Sequence, residues 1–244
     1  MIISLFSKYF GADKSQEIAA ELELNPSLSY VVLALSIKSD AISEGLVANI
    51  EMILGNQVLC CQDGNMVIVL HQVKPDSTSD DLRKLNNAIA RKISKHFGSK
   101  VTIGMGRLHS VPEGLQISFQ EAKQALMMGK RLFSDGSASY FGDLGVYRLL
   151  LSLNIEELKS FFQEAIGCLV EYDTLHHSHL LITLRELLHH PTGTATAKAL
   201  HVHRNTLLYR IQRIQEITKL NLDDSETRLT LHLAFKAADV IHAG

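Results

Sequence analysis

Ala197-Lys198-Ala199-Leu200-His201-Val202-His203-Arg204-Asn205-Thr206-Leu207-Leu208-Tyr209-Arg210-Ile211-Gln212-Arg213 is the stretch on which the reading of this chain turns. Its spacing is that of a helix-turn-helix. Ala197 is small, as a first helix must be where a second crosses close above it. His201 falls at the turn, and apolar Val202 follows to plug the angle between the helices. His203 can cap the second helix, whose Leu207, Ile211 and Ile214 recur at i, i+4 and i+7 on one buried face. Arg204, Asn205, Leu208, Tyr209 and Gln212 then face out. A face that opens with Arg-Asn can set hydrogen-bonding groups against base edges in a DNA major groove.

The charge pattern agrees. Residues 187–215 contain no Asp or Glu but do contain Lys198, Arg204, Arg210 and Arg213. The whole chain balances 24 Lys+Arg against 26 Asp+Glu for a net charge of -2, so this window is a local positive field on a nearly neutral molecule. Such a field is the footprint of phosphate binding. An ordinary two-helix corner with a solvated basic face would share the spacing.

The run from His203 to Ile211 is similar to the "HRNTLxYRL" signature of the purine-catabolism and sugar-diacid regulators (PucR/CdaR type). Thr183-Leu184-Arg185 upstream, Ala197-Lys198-Ala199-Leu200 leading in, and Leu220-Asn221-Leu222-Asp223-Asp224 with Glu226-Thr227-Arg228-Leu229 downstream match as well. The resemblance covers roughly residues 178–241. Pro191-Thr192-Gly193 departs from the pattern as a tighter link. The resemblance implies a transcription regulator that binds double-stranded DNA and controls a catabolic operon in response to a metabolite. Arg204 and Asn205 would read bases. Lys198, His203, Thr206, Tyr209, Arg210 and Arg213 would contact or orient phosphates.

Composition sets the bounds. A chain of 244 residues is long enough for two modest domains, and 46% hydrophobic with 20% charged residues is an ordinary globular mixture. No apolar run approaches the roughly 18 residues of a spanning helix. The opening residues lack a basic n-region and a long apolar core, so no secretory signal is expected. Cys60, Cys61 and Cys168 make an odd count without a Cys-x-x-Cys motif, which suits a reducing cytoplasm. Adjacent Cys60 and Cys61 should point to opposite faces of a strand as packing residues.

In chain order, residues 1–28 predict one or two short helices on Ile18, Leu22 and Leu24, ended by Asn25-Pro26-Ser27. Residues 30–37 predict a buried strand and residues 44–54 a helix. Two apolar runs, 57–61 and 66–73, flank Asp63-Gly64-Asn65 and predict a hairpin. A polar loop follows, and Ser79-Asp80 opens a helix on Leu82, Leu85, Ile89, Ile93 and Phe97. Residues 100–105 predict a strand leaving through Gly104-Met105-Gly106. Pro112 starts a helix on Leu115, Phe119, Ala122 and Leu126, and residues 138–141 a last strand. This order predicts a mostly antiparallel sheet covered by helices.

That order resembles the nucleotidyl-cyclase-like domain related to diguanylate cyclases, which the regulator family carries in degenerate (GGDEF-like) form. The stretches Thr102-Ile103-Gly104-Met105-Gly106-Arg107 and Ser118-Phe119-Gln120-Glu121-Ala122 carry the likeness. A working cyclase has Gly-Gly-Asp-Glu-Phe at the hairpin, where this chain has Gln62-Asp63-Gly64-Asn65-Met66. The adjacent acidic pair needed for Mg²⁺ and the nucleophilic hydroxyl is gone. The first strand, ending Ser36-Ile37-Lys38-Ser39-Asp40, holds no metal carboxylate.

The resulting expectation is an α+β chain: an N-terminal helical segment (1–28), a degenerate GGDEF-like domain (29–142), connecting helices with a hinge (143–177), and an all-α helix-turn-helix domain (178–244). Asp223 and Glu226 match a capping box opening the last helix. That helix carries two apolar stripes, Leu229/Leu233/Ala237/Val240 and Leu231/Ala234/Phe235/Ala238, from which a homodimer or larger assembly is expected. The histidines near the hinge, His176, His177 and His179, with His189 and His190 beyond, are read as solvated or helix-capping residues, since zinc usually takes Cys or acids among its ligands. No catalytic residue, metal or cofactor is expected, although a small-molecule effector is. The competing readings are a nucleotidyl-cyclase-class enzyme, or a ligand-sensing domain whose helix-turn-helix serves protein interaction.

Overall fold

A computed structural model describes residues 24–25, 28–37, 45–55, 58–110, 113–133 and 135–242. The helices expected before residue 24, and the expectations for Gln57, residues 38–40 and Pro112, lie outside the described residues. Contacts divide the chain into one unit through Arg148 and a second from Leu149.

The first unit is a five-stranded sheet. Its strands are β1 (Ser29–Ile37), β2 (Val58–Asp63), β3 (Met66–Val73), β4 (Val101–Met105) and β5 (Ala138–Tyr140), in the order β2-β3-β1-β4-β5. Only the β4–β5 pairing is parallel, so the sheet is mostly antiparallel as the element order predicts. β1 is apolar nearly throughout because it is the central strand and is covered on both faces. Val31, Leu33 and Leu35 join one core with Ile50 of α1 (Leu46–Leu54) and Leu82, Ile89 and Ile93 of α2 (Ser79–Phe97). Tyr30, Val32 and Ala34 join another with Leu115, Phe119, Ala122 and Leu126 of α3 (Gly114–Leu132). Cys60 and Cys61 divide between these two cores, and burial pushes the Cys61 thiol up to about 12 and raises that of Cys60 as well.

Local chemistry explains the element ends. Thr78 and Asp81 form a reciprocal capping box at the start of α2. The hairpin pairs Asp63 with Met66 around Gly64, whose φ of +55° a side chain rarely adopts. Gly104 and Gly106, expected only as a strand exit, do more. A Cβ on Gly104 would strike the backbone of Leu126 and Ala122, and one on Gly106 that of Ser118. Their bareness lets α3 lie directly against β4.

The second unit is helical. A one-turn helix α4 (Tyr147–Leu150) bridges the division, followed by α5 (Ile155–His176), α6 (Leu180–His189), α7 (Gly193–Ala199), α8 (Arg204–Thr218) and α9 (Ser225–Ile241). Residues 143–177 read as connectors and a hinge in the sequence, yet Ile166 and Leu169 of α5 are fully buried with Leu184, Ile214 and Phe235. α5 is a core helix that packs along α9. The corner after it is built rather than slack: Asp173 accepts hydrogen bonds from Leu180 N at 2.8 Å and Leu181 N at 2.7 Å and so caps α6. Burial alone would raise the Asp173 carboxyl, but Ser178 and these two amides hold it below the usual carboxylate range.

Two details of the last helix differ from expectation. Asp224, not Asp223, is its N-cap, accepting from Thr227 N at 2.7 Å, which leaves Glu226 inside the first turn. Of its two apolar stripes, Leu231, Ala234, Phe235 and Ala238 are buried, and Ala237 and Val240 of the other are buried too. Leu229 alone of that stripe is 51% exposed, with Leu233 half-buried.

Candidate nucleic-acid interface

The helix-turn-helix forms as its spacing predicts, and its turn is a hydrogen-bonded device. Val202 N donates to Ala197 O at 3.0 Å and His201 N to Lys198 O at 3.2 Å. This pair of bonds is a Schellman motif, with His201 left-handed at φ +55° and Val202 folded back toward Ala197. Thr192 caps α7 through Ala195 N at 3.2 Å, so the short Pro191-Thr192-Gly193 link provides the helix start directly. His203 caps α8 by accepting from Asn205 N at 3.2 Å.

On α8 the buried face is Leu207 and Ile214, with Ile211 half-buried. Lys198, His203, Arg204, Asn205, Thr206 and Tyr209 are exposed. Arg204 and Asn205 stand in the first turn of α8, where backbone N–H groups and the helix dipole add to an attraction for phosphate. Lys198 is the cation at the end of α7.

Arg210 and Arg213 are half-buried and committed within the protein. Arg210 donates to the Thr183 hydroxyl at 3.2 Å, and Thr183 in turn donates to His179 O at 2.7 Å. Arg213 meets Glu216 at 2.8 Å, both Nε and Nη2 reach the Tyr172 hydroxyl, and its guanidinium lies 5.1 Å from the centre of that ring. The Glu216 carboxylate, then Tyr172, raise the Arg213 pKa, and Arg213 correspondingly lowers that of Glu216. Glu216 is the first acid beyond the acid-free window, and Glu186, the last before it, sits 3.1 Å from His190. Thr183 stands 27 positions from Arg210, on another helix, so no local spacing names it as the partner. Thr183 belongs to the upstream Thr183-Leu184-Arg185 stretch that shares the regulator resemblance. Its third member, Arg185, lies over the Phe235 ring at 4.9 Å and beside Asp239.

In the first unit the two stretches that carry the cyclase-like resemblance meet. Glu121, its side chain only 6% exposed, accepts from Arg107 N at 2.8 Å, from its guanidinium at 2.5 Å, and lies 3.1 Å from His109 Nε2. Ser118 accepts from Val32 N and donates to Arg107 O. Burial would raise the Glu121 carboxyl, but the side-chain and backbone bonds from Arg107 and the bond from His109 hold it low. At the hairpin tip Gly64 and Asn65 are exposed, and the Gln62 amide donates to Gly64 O at 3.1 Å. Among the described residues no three metal-binding side chains converge, and no helix is long and apolar enough to cross a membrane.

Comparison with known proteins follows the same division. The sequence profile of the GGDEF-like domain matches residues 12–128, and that of the PucR C-terminal helix-turn-helix domain matches residues 180–237. The DNA-binding transcriptional activator AdeR of Bacillus subtilis is 27% identical over 183 residues, covering 73% of this chain and 43% of its own. The purine catabolism regulatory protein of the same organism is 32% identical over 151 residues, 62% of this chain and 28% of its own. The carbohydrate diacid regulator of Escherichia coli is 28% identical over 162 residues, 65% and 41% respectively. The chain thus spans less than half the length of each of these relatives. The chain therefore carries a GGDEF-like domain followed by a PucR C-terminal helix-turn-helix domain, the order of the two in sequence matching the two units of the structure.

Proposed function

We propose that this protein is a sequence-specific DNA-binding transcription regulator that acts in the cytoplasm on a catabolic operon in response to a metabolite. The observation that carries the reading is the exposed Arg204–Asn205 face at the start of α8, beside Lys198, in a window without a carboxylate. Arg204 and Asn205 read base edges, since their fork and amide match guanine O6/N7 and adenine N6/N7. Lys198, His203, Thr206 and Tyr209 face the phosphates. Arg210 and Arg213 orient the helix through Thr183, Tyr172 and Glu216, a positioning role that their hydrogen bonds support. Two relatives, the purine catabolism regulatory protein of Bacillus subtilis and the carbohydrate diacid regulator of Escherichia coli, support a small catabolic effector by their names.

One helix-turn-helix neutralises too few phosphates for tight binding alone, so the working form is a homodimer or larger assembly. The GGDEF-like domain is non-catalytic in this reading, because Gly64 and Asn65 stand where an acidic pair is required. Purified protein given GTP and Mg²⁺ should make no cyclic dinucleotide; turnover above the no-protein control, lost on Asp63→Ala, would restore the enzyme reading. The direct test of the main proposal is selection of bound duplexes from a random pool. A recurring two-part sequence is expected, and a pool that stays random after repeated rounds would overturn it.

A further inference from the structure

Two large side chains on the outer face of α8 are unaccounted for by charge. Leu208 is 52% exposed and Tyr209 67% exposed, although Leu207 immediately before them is buried. Leu208 lies four residues after Arg204 and three after Asn205, which puts it on their side of the helix, one turn deeper. Gln212, a further turn on, is exposed on the same line. Arg204 stands one turn before Leu208, and residues 187–215 hold no carboxylate. The first acid beyond them, Glu216, is engaged by Gln212 and Arg213, so the N-terminal part of this face favours a polyanion.

A leucine has no donor or acceptor and can recognise only an apolar feature. The major groove offers one, the C5 methyl of thymine. We propose that Leu208 reads a thymine methyl group, next to the bases read by Arg204 and Asn205, and so sets part of the operator sequence. The inference rests on the DNA-binding reading above.

Replacing each thymine of the selected site in turn by deoxyuridine removes the methyl and leaves every hydrogen-bonding group in place. At one position per half-site the wild-type protein should lose about fourfold in affinity, the worth of one buried methyl group. Leu208→Ala, which keeps a good helix former at an exposed position, should bind the thymine site more weakly and bind thymine and uracil sites equally. Its melting temperature serves as the folding control. Wild-type affinity indifferent to every substitution overturns the proposal, as does a thymine preference that survives in Leu208→Ala. If Leu208→Ala instead weakens self-association by light scattering with the thymine preference intact, the side chain belongs to a contact between copies and the proposal fails. Wild-type protein that binds no duplex at all sinks the DNA-binding reading itself, a result distinct from tight binding without methyl dependence.

Discussion

The guanidinium of Arg213 is held between Glu216 and the Tyr172 hydroxyl, whereas Lys198 projects from α7 into solvent. Each nitrogen of Arg213 already has an acceptor, so little of it is left to follow a phosphate. Lys198→Ala should therefore flatten the plot of log affinity against log salt by about one unit, alike on operator and random DNA. Arg213→Ala should lower the melting temperature and leave the slope nearly unchanged. An equal change of slope for both variants would return Arg213 to the phosphate contacts. In the same titrations Asn205→Ala should cost roughly 1–3 kcal/mol on the operator and little on random DNA. Glu121 calls for a pH experiment. Its folded carboxyl lies below the ordinary value of 4.5, so it stabilises fully above that pH and the contribution fades as pH falls through the folded value. Glu121→Gln should cost about 2 kcal/mol at neutral pH, reduced from the fully buried case because Arg107 is partly exposed. The gap from wild type should narrow in urea melts below about pH 4.5; a gap constant with pH would mean that the charge is irrelevant. Exposure of Arg204 and Asn205 was legible from periodicity. The engagement of Arg210 and Arg213 was not, since their partners sit on other helices and no local pattern names them.

Elements were read best where one helix or strand satisfies its own pattern. α2, with its apolar stripe, and the β2–β3 hairpin around Gly64 follow directly from spacing. Ends were harder to read when the group that satisfies them comes from elsewhere. Asp173 caps α6 from the last turns of α5, several positions upstream of the amides it receives, so a search for a cap beside the helix finds only left-handed His179. α5 reads as a connector in sequence because its apolar residues have no visible partner until α9 is laid along it. The turn between α7 and α8 supplies a prediction of its own. A histidine at φ +55° carries the steric penalty of the left-handed region, which glycine avoids. His201→Gly should raise stability by about 1 kcal/mol in thermal or urea melts of the full chain. A lower melting temperature would show that the imidazole makes a compensating contact at the turn.

At the scale of the whole molecule, the two units differ in how much their sequence disclosed. The sheet order could be inferred from the alternation of elements and the likeness to a cyclase fold, yet the seam at Gly104 and Gly106 depends on α3, which follows later in the chain. The second unit was announced by one dense motif, while the extent of its core was not. Association is the prediction at this scale. Leu229 keeps half its surface exposed on α9, a smaller apolar area than the sequence alone implied. A dimer in solution is expected nonetheless, with half-sites about one helical turn or a multiple apart. A monomer by light scattering at micromolar concentration that binds a single half-site tightly would rule this out. The central position of β1 also has a consequence in time. The strand comes first among the five but pairs with β3 on one edge and β4 on the other. During synthesis its nine apolar-rich residues therefore keep one edge open after β3 has paired, until Met105 has left the ribosome, and one face bare until α3 has followed. The helices of the second unit, by contrast, satisfy their backbone hydrogen bonds within themselves as they emerge, although α5 is covered only when α9 arrives. The nascent sheet is thus the part of this protein that most needs a chaperone's shelter, and the need ends when its last covering helix arrives.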